Sequence, residues 1–147
     1  RIMLTSAGEL EPALADLVQY ARETTHNGHA LAKEPVVRHK LAEMTIEIEI
    51  ARLLCYHAVL IESRGVVPYS EASEMKVFIT ELGQRIANAG MQLLGLSSQL
   101  QEDSKCAAME GKMDVAYRAT VMPTFGGGSS ELMRNIIAIR GLGLPAK

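Results

Sequence analysis

Few residues of this 147-residue chain could do chemistry, and most are poorly spaced for it. His26 and His29 fall in a polar stretch, while His39 and His57 are 18 residues apart, which is no chelating interval. Glu23-Thr-Thr-His26 is a single Glu-x-x-His element. A di-iron bundle needs a pair of these with further inward glutamates, so a metal site is not expected. Cys55 lies on an apolar stripe and reads as a core residue, and Cys106 has no base near it in sequence. Glu47 and Glu49 stand about 200° apart around a helix and cannot face one substrate together. They are expected to meet solvent or a partner.

The stretch FGGGSSELMR offers more. It is neither a Walker A loop, which needs Gly-Lys-Ser/Thr, nor a dinucleotide G-x-G-x-x-G. Glycines ahead of a capped helix do leave backbone N–H groups near a positive helix end, where phosphates or carboxylates gather. Physics alone also permits a flexible turn with an ordinary N-cap, and favours it.

Helices must position these groups. The first is expected over about Ile2 to Thr24, with Leu10, Leu14, Leu17 and Val18 on one face and Pro12 kinking or interrupting it. THNGHALAKEP reads as a loop around Asn-Gly, ending on Pro35 as a first helical residue. From Pro35 to Arg64 the residues Val37, Leu41, Met44, Ile48, Ala51, Cys55 and Ala58 make one helical stripe. That stripe overrides the strand-like alternation of TIEIEI, and Gly65 ends the helix. Ser70 is the expected N-cap of a third helix to about Leu94, with Glu71 and Glu74 in its first turn. GLSSQLQEDSK is polar and irregular. A weaker helix is expected over Cys106 to Thr120, and a last one over about Glu131 to Ile139, capped by Ser129 or Ser130. Long helices with short links predict an all-α, antiparallel bundle in one domain over residues 1–147.

Composition agrees. Apolar residues make up 48% and charged residues 22%, with aromatics at 4% and no Trp, which favours packed helices over sheets. Net charge is −2 without basic clusters, so no nucleic-acid surface is expected. No apolar run approaches the roughly 20 residues of a membrane span, and no signal peptide is visible. Two cysteines without zinc spacing suit a reduced, cytoplasmic setting. The opening RIMLTSAG lies inside an apparent helix and reads as a piece of a longer chain.

GGGSSELMRNIIAIRGLGLP resembles the C-terminal signature of acyl-CoA dehydrogenases. LAEMTIEIEIARLL, QRIANAGMQLLG and YRATVMPTF resemble further segments of that family in the same order. The likeness covers nearly the whole chain and implies the family's C-terminal helical domain. It implies an FAD-dependent oxidoreductase converting acyl-CoA thioesters to 2-enoyl-CoA, in which a carboxylate takes the α-proton and the flavin takes hydride. It also implies an oligomer core and a flavin site shared between subunits.

Carried over residue by residue, the likeness is mixed. The family's catalytic Glu falls at Gly127, so no catalytic base is expected within these residues. Ser129, Ser130 and Glu131 fall where the family touches the flavin's adenosine part. Gln92 and Gly95 match the start of a Gln-x-x-Gly-Gly flavin motif, whose next residues are replaced by Leu96 and Ser97. Of an Arg-x-x-Phe-Gly loop that meets a neighbour's flavin pyrophosphate, Thr24 and Asn27 replace the Arg and Phe, and only Gly28 remains. Losing that Arg removes a charge-assisted pair to phosphate. Some members place the base in a Glu-Arg pair opening the first helix, and Arg1 matches that Arg, beside the substrate. The resemblance thus leaves open an active dehydrogenase with its base before Arg1, or a partner subunit of an α2β2 assembly such as those acting on steroid side chains or rings. A non-catalytic helical scaffold is the other alternative.

Overall fold

The computed structural model describes residues 7–146. Arg1 and the expected start of the first helix at Ile2 lie outside them. The described chain forms α1 (Ala7–Glu23), a two-stranded hairpin of β1 (Thr25–His26) and β2 (His29–Ala30), then α2 (Pro35–Ser63), α3 (Tyr69–Leu94), α4 (Lys112–Ala119) and α5 (Ser130–Ile136). Helix α3 is the axis of the bundle, with each of the other helices packed on it. Leu14 and Leu17 of α1, Met44, Ile48, Ala51, Cys55 and Ala58 of α2, and Ile79, Leu82 and Ile86 of α3 form the core.

Local chemistry explains the joints. Helix α1 continues through Pro12 without interruption. The loop around Asn-Gly is a tight antiparallel hairpin, with positive φ at both Asn27 (51°) and Gly28 (85°), the backbone of a type I′ turn. Pro35 opens α2 at its first turn, and Gly65, at φ 76°, follows its C-terminal cap.

Three boundaries differ from the sequence expectation. Helix α3 begins two residues early, at Tyr69, and Ser70 is a buried residue inside it rather than its cap. Its hydroxyl donates to Glu74, 3.2 Å away, and it packs under Gly141, where a Cβ would come within 2.5 Å of that hydroxyl. Helix α4 starts at Lys112 rather than Cys106, because Met109, Glu110 and Gly111 all adopt left-handed backbone (φ 50°, 57° and 73°). Gly111 cannot carry a side chain, since its Cβ would lie 2.6 Å from the Glu102 backbone nitrogen. The last helix is α-helical only to Ile136 and then widens into a π-turn over Ile137–Gly141. That wider turn coincides with Arg140 stacking on Tyr69, 4.4 Å from the ring centre.

Candidate functional site

The glycine turn between α4 and α5 stands between two clefts. Gly126 is tied back by its N–H to the Met122 carbonyl (2.9 Å), and Gly128 to Phe125 (3.2 Å). Gly127 follows at φ 70° and Gly128 at φ 115°, backbone that side chains resist. A Cβ on Gly128 would strike Met133 at 2.4 Å, whereas one on Gly127 would meet nothing within 4 Å. Gly127 therefore faces open space.

Gly126 and Gly127 line a mainly apolar cleft of about 520 Å³, walled by Tyr69, Met75, Ile79 and Met122, with Lys76 as its cation. Burial pushes the Lys76 ammonium below its usual range, partly opposed by the charges of Glu131 and Glu81. It donates to the Thr124 carbonyl (3.0 Å) and to the Gly128 carbonyl.

Ser129, Ser130 and Glu131 line the other cleft, of about 860 Å³, together with Gln84, Asn88 and Tyr117. Ser129 is the N-cap, accepting the Leu132 N–H at 3.3 Å, as one of the two expected caps. Ser130 is buried, its hydroxyl 3.4 Å from the Thr124 carbonyl. The positive helix end that invited an outside anion is met by the Glu131 carboxylate itself. Its own backbone N–H, then the Ser129 hydroxyl, then Arg134 and Lys76 hold it below the usual carboxylate range. Both arginines of this cleft are also paired, Arg134 with Glu81 (2.6 Å) and Arg85 with Glu47 (3.0 Å).

Gln92 and Gly95 join neither cleft. Gln92 is exposed near the end of α3 and accepts from the Lys40 amine, in a small recess with Leu17, Val37 and Leu41. Gly95 caps α3 at φ 65°, and its Cβ would meet nothing within 4 Å. The structure thus splits the candidate flavin residues into two separate groups. The hairpin positions Thr24 and Asn27 bring no cation, and His29 there is occupied by Glu34 at 2.6 Å.

The other candidates are apart. Glu47 meets Arg85 while Glu49 lies 3.7 Å from Arg52, on different sides of α2. Cys55 is buried and Cys106 exposed. Among the described residues no group of three or more His, Cys, Asp or Glu side chains converges, and no helix is long and apolar enough to cross a membrane. Sequence reasoning missed Lys76 and the cleft-lining Glu81, Gln84, Arg85 and Asn88. The last four recur at three, four and seven residues, so one polar face of α3 was there to be read.

The family model described as acyl-CoA dehydrogenase, C-terminal domain, matches residues 1–142. The chain is similar to acyl-CoA dehydrogenase FadE26 of Mycobacterium tuberculosis, at 31% identity over 99% of this chain and 37% of that protein. Its fold is similar to a chain of the ChsE4-ChsE5 complex from the same organism, with a TM-score of 0.89 and 32% identity over 100% of this chain and 38% of that one. A chain of the Tcur3481-Tcur3483 steroid ACAD matches with a TM-score of 0.85 and 27% identity over 96% of this chain and 35% of its own. The chain thus spans under two fifths of the length of these relatives.

Proposed function

The chain belongs to the acyl-CoA dehydrogenase family, and on that premise we propose that it serves as the C-terminal helical domain of one subunit in a heteromeric, FAD-dependent acyl-CoA dehydrogenase. The carrying observation is the glycine turn. Where the family's carboxylate would stand, Gly127 has a positive φ and open space ahead of it. This turn shapes the cleft without supplying a proton acceptor, so the base comes from outside residues 7–146, either before Arg1 or from another chain. Arg1 would then sit beside the acyl-CoA substrate.

The residues fit part of the cofactor. The Ser129 hydroxyl, the Gln84 and Asn88 amides and the Tyr117 hydroxyl are neutral hydrogen-bonding groups suited to an adenosine. They do not suit its pyrophosphate, because Glu131 is anionic there and Arg85 and Arg134 already hold carboxylates. Gln92 and Gly95, on a different part of the surface, would touch a second flavin across a subunit boundary. Bound FAD would supply the hydride acceptor for α,β-dehydrogenation. The outer face of α2 supports assembly: Ile46, Ile50, Leu53 and Leu60 point away from its buried stripe and remain exposed, Leu53 at 65%.

The absence of a cation at Thr24 and Asn27 supports two unlike chains sharing fewer flavins than a homomer would hold. The two relatives solved as complexes are named as pairs of different proteins, one of them a steroid ACAD. A bulky steroid-like acyl group suits the space before Gly127. The reading is tested by purifying the full-length parent chain alone and with a co-expressed dehydrogenase partner. The lone chain is expected to hold little flavin, and the pair to reduce dye with acyl-CoA. Near-stoichiometric flavin in the homomer would refute the heteromer. No acyl-CoA-dependent reduction by any pairing would leave a non-catalytic scaffold.

A further inference from the structure

We propose that Lys76 is a positioning residue that sets the glycine turn against both clefts at once. The inference rests on the flavin reading for its kinetic consequence, though not for its geometry. Lys76 lies on α3, the rigid axis of the bundle, and its amine reaches across to the Thr124 and Gly128 carbonyls. Those carbonyls bracket Phe125, Gly126 and Gly127, so one ammonium holds both ends of the segment. The segment needs such a tie. It contains three consecutive glycines, the most permissive backbone in the chain, and at Gly127 no side chain comes within 4 Å of where a Cβ would stand. Main-chain bonds inside it fix its curvature, namely Gly126 to Met122 and Gly128 to Phe125. They do not fix its height above α3.

Lys76 supplies that height through hydrogen bonds from a charged donor, stronger than neutral ones. The groups facing the amine are the anions Glu131 and Glu81. Thr124 is a shared anchor, since its carbonyl also lies within reach of the Ser130 hydroxyl, 3.4 Å away. Release of Lys76 would therefore loosen the Gly127 side and the Ser129–Glu131 side together. A side chain lining only one cleft would disturb only that cleft.

The test uses the full-length chain in its complex, as Lys76→Met and Lys76→Arg. Amide hydrogen exchange over residues 124–131 is read first, because it needs no catalytic assumption. Lys76→Met is expected to speed exchange there about tenfold, and Lys76→Arg, whose guanidinium spans two carbonyls, to restore it. In the same Met variant, the KM for acyl-CoA and the Kd for FAD are expected to rise together by several-fold, with kcat changed less. Wild-type exchange in Lys76→Met would overturn the clamp. Faster exchange with KM and flavin affinity both unmoved would overturn the positioning role. An unmutated complex without acyl-CoA-dependent reduction counts against the proposed function and leaves the clamp to be judged by exchange. If Lys76→Met does not fold, exchange and KM in Lys76→Gln decide by the same criteria.

Discussion

Helices α2 and α3 are the two long rods of the molecule, with 29 and 26 residues, and they spend their surfaces differently. Helix α3 is buried over a broad arc that includes Ser73, Gly83, Ala87 and Gly90, small residues that let neighbours approach. The sulfur of Met113 fills the notch at Gly90, 2.3 Å from where a Cβ would stand. Helix α2 buries one narrow stripe and presents a second apolar stripe outward. One rod is largely covered by its own chain, while the other is apolar on opposite faces. Composition alone does not separate them; the angular placement of side chains does.

Paired truncations give the largest expected contrast. Leu82→Ala on α3, at a fully buried position, should cost about 2–5 kcal/mol in denaturant unfolding. Leu53→Ala on α2 should stay within about 0.5 kcal/mol in the same domain. Equal losses would erase the contrast between the rods. Next, Ser129→Ala removes the cap of the helix that α3 supports, and about 1 kcal/mol is a sharp enough loss to read by thermal melting.

The outward stripe is tested with little change in folding. Leu53→Glu should leave the melting temperature of this domain nearly unchanged while shifting the full assembly to smaller species in sedimentation. An intact assembly would mean that the exposed face of α2 is not covered. The smallest effect concerns pH. Because Glu131 is held below its usual range in the folded state, its contribution is present above the unfolded carboxylate value of about 4.3. It is lost as pH falls through the lower folded value. Glu131→Gln should flatten the acid limb of the stability curve slightly, and an unchanged limb would show that the cap does not depend on this charge.

Much of this was legible before any coordinates. The α2 stripe from Met44 to Ala58 is buried as its spacing implies, and Ser129 caps α5. Periodicity reports faces, so long helices are readable. The boundary of α4 was not, because left-handed Met109 and Glu110 follow from a chain crossing at Gly111 that no local pattern encodes. Ser70 has cap chemistry, but burial under Gly141, 71 positions away in the chain, draws it into the helix. The clefts were only half visible. The turn could be read from its glycines, but Lys76 and the polar face of α3 meet it through tertiary packing. The resemblance assigns Gln92 and Gly95 to one flavin motif and Ser129, Ser130 and Glu131 to another, and the fold sets Gln92 and the Ser129–Glu131 group in different recesses.

Gly127 also bears on what an engineer could install. Installing a glutamate there places a branched Cα in a left-handed conformation, at φ 70°, with a penalty of about 1–2 kcal/mol before any new contact forms. Room for the side chain exists, so the obstacle lies in the main chain. Such a substitution therefore starts at a loss, and accommodating it needs the neighbouring glycines to relax the bend as well.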